Sequence, residues 1–327
     1  MRQEYSLRNL ALYLGPPILF ALVEPLLGPF QRSLVTEIMV WCVFAMAYNL
    51  LFGYTGLLSL GHALFFGAGM YCFAFSLIYV QADLWISLAL TLIGAAVFST
   101  IIGLIATRVR GVYFLIITLI ISMTFYAATF SYPEVSGGSD GMVLRIPNLK
   151  FFSFSLNITD PTVNYFLVWV LLTISYIIIT RLITSPLGIV LRAIGQNDQR
   201  ARLIGYNVER YRLLAFTISG TFSGLAGSMY AMSFRFAGPQ LMSVTNSVNV
   251  LVWTLVGGSA TILGPIVGTV VMVLAMDYIS SETSGFLIFV GLILILVTKF
   301  TPKGIVGAIR DRLMSTSGDP HDDIAET

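Results

Sequence analysis

The stretch from Thr184 to Leu214 reads TSPLGIVLRAIGQNDQRARLIGYNVERYRLL, and it decides how the rest of the chain is arranged. It lies between two apolar runs and holds five arginines against two acidic residues, namely Arg192, Arg200, Arg202, Arg210 and Arg212 against Asp198 and Glu209. Each charge at the centre of a bilayer costs roughly 2.5–3.5 kcal/mol even on the lenient insertion scale. The stretch is therefore expected in water, on the positive side of a membrane.

The same stretch carries helix signals that predict two short helices with a basic face. Ser185 and Pro186 can cap and start the first helix, because proline supplies a preset φ where no N–H is needed. Four apolar residues then recur at helical spacing, namely Leu187, Val190, Leu191 and Ile194. Gly195 interrupts this pattern, which resumes from Ala201 to Ile204 and ends at Gly205. Two interpretations of the pattern stay open, a docking surface for a soluble partner or a loop that only sets membrane topology.

The composition excludes an ordinary soluble domain. The chain has 327 residues, of which 57% are hydrophobic and 10% are charged, and its mean hydropathy is +0.86. Soluble domains carry about 25% charged residues. The sequence therefore predicts an all-α polytopic membrane protein with about eight full transmembrane helices, additional broken or re-entrant segments, and a candidate inverted repeat.

The glycine-rich stretch from Gly53 to Met70, GYTGLLSLGHALFFGAGM, interrupts an apolar run that continues to Val80. Backbone that leaves a helix at membrane depth survives only where it lines a cavity or is buried in protein. The stretch predicts either a broken helix beside a substrate pathway or close packing of helices through small residues. The pathway candidates are Thr55, Gly56, Ser59, Gly61 and His62. A lone histidine in such a run is more often a buried hydrogen-bonding residue than a ligand contact.

A second interrupted region lies between Ser247 and Asp277, which is too short for two full crossings of about 20 residues each. A single crossing would leave the basic tail on the outer side, against the positive-inside rule. A fold-back between Gly257 and Pro265 fits the short length and also leaves the basic tail on the inner side. The sequence therefore predicts a broken or re-entrant hairpin. Paired glycine-interrupted helices point to a transporter's binding site. The N-terminus of such a half-helix is expected to present unpaired N–H groups and a partial positive charge, which suit a carboxylate. The pathway candidates from this hairpin are Gly257, Gly258 and Gly264.

A polar segment from Ser131 to Val163 is expected on the outer face, after a span over residues 112–130. Its glycines, serine and aspartate predict a tight turn with free N–H groups. The turn is either a gate over the pathway or a connection that faces solvent. The gate candidates are Gly137, Gly138, Ser139 and Asp140.

Six motifs along the chain together resemble the LivM-type permeases of branched-chain amino acid ABC importers. The motifs are GYTGLLSLGHALFFGAGMY (53–71), GGSDGM (137–142), SPLGIVLRAIGQND (185–198), GYNVERYRLLAF (205–216), GLAGSMYA (224–231) and VGGSATILGPIVG (256–268). They cover nearly the whole chain and keep their order. The resemblance implies a subunit that moves branched-chain amino acids or a related small solute into the cytoplasm by alternating access.

The resemblance also implies partners. In that family, the loop that matches 185–212 carries the coupling segment that docks on an ATPase subunit, which favours docking as the interpretation of the basic stretch. The implied partners are two ABC ATPase subunits, a second LivH-like permease, a periplasmic or other extracytoplasmic solute-binding protein and the lipid bilayer, with no nucleic acid. The implied coupling residues are Arg192, Ala193, Asn197, Asp198, Ala201 and Gly205.

Two positions depart from the family pattern. Relatives commonly have a Glu-Ala pair upstream of Gly205, where this chain has Arg200-Ala201, so the coupling contact would differ in charge. Relatives often carry a glutamate at the place of Asn249. If that glutamate recognises a substrate ammonium group, its loss favours a neutral or purely anionic solute. Urea, short amides and aromatic acids, which other relatives import, remain alternatives.

The sequence predicts neither an enzyme nor a bound cofactor. It has no phosphate-binding GxxxxGK[ST] motif, so ATP is expected on the partner subunits. Cys42 and Cys72 fall in apolar runs, and His62 and His321 are the only histidines, so no metal site is expected. The rival class, a stand-alone secondary transporter or channel, would carry an acidic or histidine relay at membrane depth, which is missing apart from His62.

The predicted organisation is one transmembrane permease domain over residues 1–314, with a cytoplasmic coupling segment at 184–212. The last span is expected at 286–298, and an acidic tail at 315–327 is expected to be disordered and cytoplasmic. The placement of basic residues predicts that both termini lie in the cytoplasm and that the chain resides in a bacterial cytoplasmic (inner) membrane.

Overall fold

The computed structural model describes residues 7–147, 149–151, 154–282, 291 and 304–308. Apart from Gly291, the predicted last span at 286–298 and the whole tail at 315–327 lie outside the described residues. The described helices are α1 (Leu7–Val23), α2 (Pro29–Thr55), α3 (Ala63–Ile78), α4 (Leu84–Ala106), α5 (Val112–Ser131), α6 (Pro133–Ser136), α7 (Pro161–Thr184), α8 (Pro186–Gln196), α9 (Asp198–Leu203), α10 (Val208–Phe234), α11 (Val244–Gly257) and α12 (Gly264–Glu282).

The helix lengths and compositions are those of a membrane protein. Among the described residues, four helices are long and apolar enough to cross a bilayer, namely α2, α4, α5 and α7. Helix α10 has 27 residues but begins with three charged residues in its first five. Shorter apolar helices occupy Gly15–Leu26, Ala63–Ile78, Val244–Gly257 and Gly264–Tyr278. The predicted all-α polytopic architecture is confirmed.

Two short antiparallel sheets were not predicted from the sequence. Strand β1 (Met142–Val143) pairs with β4 (Phe236–Ala237), and β2 (Leu149–Phe151) pairs with β3 (Phe154–Leu156). Strands of two or three residues are too short to show an alternating pattern. The first pair joins the long loop after α5 to the end of α10.

Helices α2 and α10 form the centre of the molecule, and small residues allow close approach between α3 and α10. Gly69 faces Gly224, and a Cβ on Gly69 would overlap the backbone of Gly224, whereas a Cβ on Gly224 would overlap Ala95 of α4. Gly227 likewise faces the carbonyl of Phe66. The glycines at 67 and 69 therefore serve helix packing, whereas the chain is broken between Gly56 and His62. Close packing through small residues therefore applies to the α3 part of this stretch, and the broken helix to the part before it.

The second interrupted region is an antiparallel hairpin, as predicted. Helix α11 ends at Gly257 and α12 begins at Gly264, with Gly257 packed against Gly264 and Trp253 packed against Gly268. The turn between them is fastened to α2 by one side chain. Asn49 accepts a hydrogen bond from the amide of Ala260 at 3.0 Å and donates one to the carbonyl of Thr261 at 2.9 Å.

Candidate functional site

The basic segment, residues 184–212, begins as a sharp turn out of α7. Helix α8 starts at Pro186, as predicted, and Ser185 occupies the preceding extended position. The predicted cap by the Ser185 hydroxyl is wrong, because this hydroxyl donates back to the carbonyl of Leu182 at 2.7 Å instead. Gly188 makes the turn possible, since a Cβ there would overlap the carbonyl of Ile183.

The basic segment has a small hydrophobic core of its own. Val190 and Ile194 of α8, Ala201 of α9 and Val208 of α10 are buried together, and Tyr211 packs against them. Ala201 is 1% exposed, so this coupling candidate contributes packing and does not present a surface. The segment is thus an ordered unit built from two short helices and the start of α10.

Helix α8 rests on the end of α2. The prediction that Gly195 interrupts the helix is wrong, because Gly195 lies within the last turn of α8. A Cβ on Gly195 would come within 2.6 Å of the carbonyl oxygen of Tyr54, so this glycine allows the contact. The Arg192 guanidinium covers the ring of Tyr54 at 4.9 Å, a distance suited to a cation–π interaction. Ala193, which follows Arg192 in the sequence, is half-buried.

Asparagine side chains begin the next two helices. The Asn197 side chain accepts a hydrogen bond from the amide of Arg200 at 3.0 Å and so caps α9. The Asn207 side chain accepts one from the amide of Arg210 at 3.1 Å and caps α10. Asn197 therefore has a specific structural role within the predicted coupling segment.

Asp198 is held between two arginines. Its Oδ2 lies 2.5 Å from Arg110 Nη1 and 3.3 Å from Arg212 Nη2. Glu209 completes the cluster, because it pairs with Arg202 at 2.5 Å and approaches Arg110 at 3.9 Å. The hydrogen bond from Arg202 holds the pKa of the exposed Glu209 carboxyl below its usual value. Arg110 belongs to the turn between α4 and α5, and the sequence analysis did not include it among the functional candidates.

The outward surface of the basic segment combines apolar and positively charged groups. Leu203 and Ile204 are 86% and 71% exposed at the end of α9, between the arginines at 200, 202 and 210. Gly205 follows with φ +94° and open space around it. A cleft of about 400 Å³ adjoins this turn and is lined by Gly205, Tyr206, Asn207, Arg210, Tyr211 and Leu214. Exposed leucine and isoleucine flanked by arginines are typical of a protein contact surface.

The pathway candidate His62 lies in the protein core. It is 0% exposed, its ring stacks against Phe44, and Nε2 lies 2.8 Å from the Ser219 hydroxyl. Ser59 is also fully buried, and its carbonyl accepts a hydrogen bond from Tyr48 at 3.1 Å. Thr55 donates to the carbonyl of Leu51 within α2. Together with Gly61, four of the five candidates from this stretch are therefore buried in the protein.

Gly56 and Gly61 mark the two ends of the broken stretch. Gly56 ends α2 with φ +71°. A Cβ on Gly61 would overlap the carbonyl oxygen of Thr118 and approach Ser122 Cβ at 3.0 Å. Gly61 therefore brings the broken stretch against the middle of α5.

The start of α3 does not present a free first amide, which the interpretation as an anion-binding half-helix requires. The amide of Ala63 donates to the Ser247 hydroxyl at 2.8 Å. Ser247 belongs to α11, so this bond ties the first interrupted region to the second. The expectation that this helix end presents unpaired N–H groups is wrong at this position.

The glycines of the second hairpin pack against backbone. A Cβ on Gly257 would overlap the carbonyl of Gly264, and one on Gly264 would overlap the carbonyl of Gly258. Gly304 from the described C-terminal piece also approaches Gly258. These three candidates make close approaches within the protein, and the geometry brings them near the first region through Asn49 and Ser247.

The gate candidates form a short folded turn over the far end of α5. Residues Gly138–Asp140 make one 3-10 turn, and the Gly138 amide donates to the Ser136 hydroxyl at 3.1 Å. The Ser139 hydroxyl donates to Asp140 at 3.2 Å, while the carbonyl of Ser139 accepts from Gln240 at 2.8 Å. Gly137 ends α6 with φ +76°. The loop is thus fastened to the segment that links α10 to α11.

Two clefts beside α5 were not predicted. One, of about 440 Å³, lies between α3, α4 and α5 under the gate loop and is almost wholly apolar, with lining residues that include Cys72, Phe98, Phe125, Tyr132 and Met242. The other, of about 250 Å³, lies at the opposite end of α5 and is lined by Gly56, Leu57, Leu58, Gly111, Val112, Phe114 and Leu115. Only a tertiary structure could reveal them, because their walls come from separate parts of the chain.

Residues 32–298 match the family described as the permease component of branched-chain amino acid transport systems. The chain belongs to this permease family. It is accordingly a multi-pass integral membrane protein and a transport component homologous to the LivM permeases of ABC importers.

Two characterised members of the permease family are similar along most of the chain. The high-affinity branched-chain amino acid transport system permease protein LivM of Salmonella typhimurium is 26% identical over 323 residues, which cover 91% of this chain and 76% of that protein. The LivM protein of Escherichia coli gives the same identity and coverage. No solved structure matches the chain.

Proposed function

We propose that this chain is the transmembrane permease subunit of an ATP-driven importer, and that residues 184–212 dock on a partner ATPase. The observation that carries the proposal is the surface of the basic segment. Leu203 and Ile204 are among its most exposed side chains, and they stand on a unit with its own hydrophobic core. An ordered apolar surface next to water needs a partner to cover it.

The charges near these apolar residues in sequence indicate what the partner presents. Arg200, Arg202 and Arg210 flank Leu203 and Ile204 along the chain and are exposed, and Arg202 is paired with Glu209. A partner surface with a hydrophobic groove and an acidic rim would complement it. Because the family pattern commonly has a glutamate at the place of Arg200, the coupling contact is expected to differ in charge.

The complete transporter would contain two ATPase subunits, a second LivH-like permease and an extracytoplasmic solute-binding protein. ATP would bind to the ATPase subunits, this chain would hold no cofactor, and hydrolysis would belong to the partners. Residues 1–314 would form the single permease domain and 315–327 a disordered tail. Both termini and the basic segment would face the cytoplasm of a bacterium, with the gate loop outside the inner membrane.

The solute is proposed to be a branched-chain amino acid or a related small molecule. Urea, an amide or an aromatic acid is the alternative, and Asn249 is the residue that favours it. This side chain is half-buried in α11, two residues after Ser247. Testing which small molecule raises the melting temperature of the cognate binding protein would separate these classes.

A stand-alone secondary transporter or channel is supported less well. Within the described part of the chain, the buried charged residues are Glu24 and Arg212, and each is paired, with Arg32 and Asp198 respectively. Both lie near helix ends. A proton or sodium relay would instead place ionisable groups along the pathway at membrane depth.

Uptake into reconstituted vesicles tests the proposal. Import should require ATP inside and the binding protein outside, because closure of the ATPases drives the conformational change. Uptake by this chain alone, driven by an ion gradient, would refute it.

A further inference from the structure

In the described part of the chain, one side chain forms the ion pairs between the basic segment and the rest of the protein. Among the described residues, both of the segment's ion pairs to residues outside 184–212 are made by Arg110. Arg110 donates to Asp198 at the start of α9 and lies near Glu209 at the start of α10. It thus joins the turn after α4 to both helices that frame the exposed Leu203 and Ile204.

The ion pair between Arg110 and Asp198 is better suited to passing a movement of α9 to the turn after α4 than to stabilising the fold. The Arg110 side chain is 45% exposed, and exposed ion pairs contribute little to stability. Asp198 has a second partner in Arg212, whose side chain is 8% exposed, so the aspartate is held firmly from the α10 side. A displacement of α9 would therefore move the carboxylate and the arginine bound to it together.

Gly111 connects Arg110 directly to the first residue of α5. Its φ and ψ are +56° and −129°, a combination that L side chains rarely adopt. No atom lies within 4 Å of a Cβ built there, so packing is not the reason for a glycine. A glycine is needed here for its backbone conformation, which lets helix α5 begin at the next residue.

Helix α5 is the least embedded of the long helices. Of its twenty residues only Phe114, Thr118 and Ser122 are buried, a single stripe along one side. This stripe touches the broken stretch at Gly61 and the ring of Phe216 in α10. The clefts of about 250 and 440 Å³ adjoin its two ends. Helix α5 therefore has both few constraints and space to move.

We propose that Arg110 is a positioning residue that links the ATPase-docking surface to α5, so that displacement of α9 is passed through Asp198, Arg110 and Gly111 to this helix. The inference rests on the proposed function of the basic segment. Movement of α5 changes the contact of Thr118 with Gly61 and the openings of the two clefts. The ion pair thereby couples nucleotide-driven motion to the predicted pathway.

The test compares Arg110→Gln with Arg108→Gln in the complete transporter, purified with its partner subunits and reconstituted. Arg108 is the matched control, since it lies in the same turn and forms no ion pair with any described residue. A fluorophore on Tyr113→Cys reports on the first turn of α5, where Tyr113 is 73% exposed. Cys72→Ser removes the partly exposed native thiol, while Cys42 is buried.

ATP should shift the emission of the label in the parent protein and in Arg108→Gln. In Arg110→Gln the shift and the amount of leucine imported per ATP hydrolysed should both fall about fivefold or more, while the ATPase still co-purifies. Arg110→Lys keeps the positive charge but lacks the planar guanidinium group, so it should recover part of the lost emission shift and of the lost import per ATP.

Two results would overturn the role of Arg110. Equal shifts in the two glutamine variants, with ATP-driven uptake intact, would refute the link and leave the transporter function standing. Loss of the ATPase from both Arg110→Gln and Arg110→Lys would place Arg110 in the docking contact itself. A parent protein that binds no ATPase would instead refute the function on which the inference rests.

Discussion

The guanidinium of Arg192 lies 4.9 Å from the ring centre of Tyr54, and this contact seats α8 on the end of α2. Tyr54 is 2% exposed and belongs to the most deeply buried long helix. The predicted coupling segment is therefore attached to the core of the protein at the point where α2 ends and the broken stretch begins.

Replacing Gly195 by valine should separate α8 from α2. The new Cβ would come within 2.6 Å of the carbonyl of Tyr54, and backbone cannot move aside as a flexible side chain can. Overpacking of this kind costs about 1–3 kcal/mol. We expect a lower melting temperature and weaker uptake per ATP hydrolysed, measured by thermal unfolding in detergent and by vesicle transport. Gln196→Val, at an exposed neighbouring position, is the control and should behave like the parent protein.

Replacing Asn197 by alanine should uncouple ATP hydrolysis from uptake while the complex still assembles. The substitution removes the cap on α9, which is worth about 0.5–2 kcal/mol. The helix that would meet the ATPase then loses its fixed start. Asn197→Ser retains a capping hydroxyl and should restore coupling. Normal uptake per ATP in Asn197→Ala would contradict the docking assignment.

Gly205→Val should have a similar effect through the backbone. Nothing lies near this residue, but its φ of +94° is strained for a β-branched side chain. The turn that presents Leu203 and Ile204 would have to change shape. Hydrolysis and uptake measured on the same vesicles should diverge, and equal rates for variant and parent would count against a role of this turn in coupling.

Leu203→Asp should weaken docking directly. Leu203 is 86% exposed, so the variant is expected to fold, but docking would bury an unpaired carboxylate. We expect recovery of the ATPase with the affinity-tagged permease to drop about tenfold, which corresponds to a loss of about 1.4 kcal/mol. Val143→Asp changes a residue that is 81% exposed in the loop after α5 and should leave recovery unchanged. Equal recovery in both variants would show that the partner binds elsewhere.

Gly61→Leu should block solute passage. A Cβ at this position overlaps the carbonyl of Thr118, so the larger side chain would push the broken stretch away from α5. Gly15→Leu is the control, because a Cβ there has no atom within 4 Å. Transport at the parent rate in Gly61→Leu would remove the broken stretch from the pathway.

Several features of the fold could be predicted because their causes are local. The ends of α5 and α7 agree with the predicted apolar runs within a few residues, since burying a charge in hydrocarbon is costly wherever it occurs. The fold-back at Gly257 to Pro265 followed from counting residues against bilayer thickness. The order in the basic segment followed from proline and apolar spacing.

The candidate site was predicted less completely, because its contacts join distant parts of the chain. Arg110 was not among the functional candidates, and its pairing with Asp198 has no signal in either local sequence. Ala201 was assigned to coupling, yet it is buried in the small core with Val190. The clefts beside α5 could not be anticipated, because a void is a property of the surrounding helices together.

The sequence by itself determined that this chain is a membrane protein, where its basic segment lies and where its glycine-rich helices break. Those properties depend on the transfer energy of each residue and on the length of each run. The tertiary structure decided which glycines touch which helices, that Ser247 occupies the first amide of α3, and that Arg110 holds α9 to the turn before α5. Such contacts depend on how whole helices pack, because a short-range bond forms only after packing has brought remote residues together.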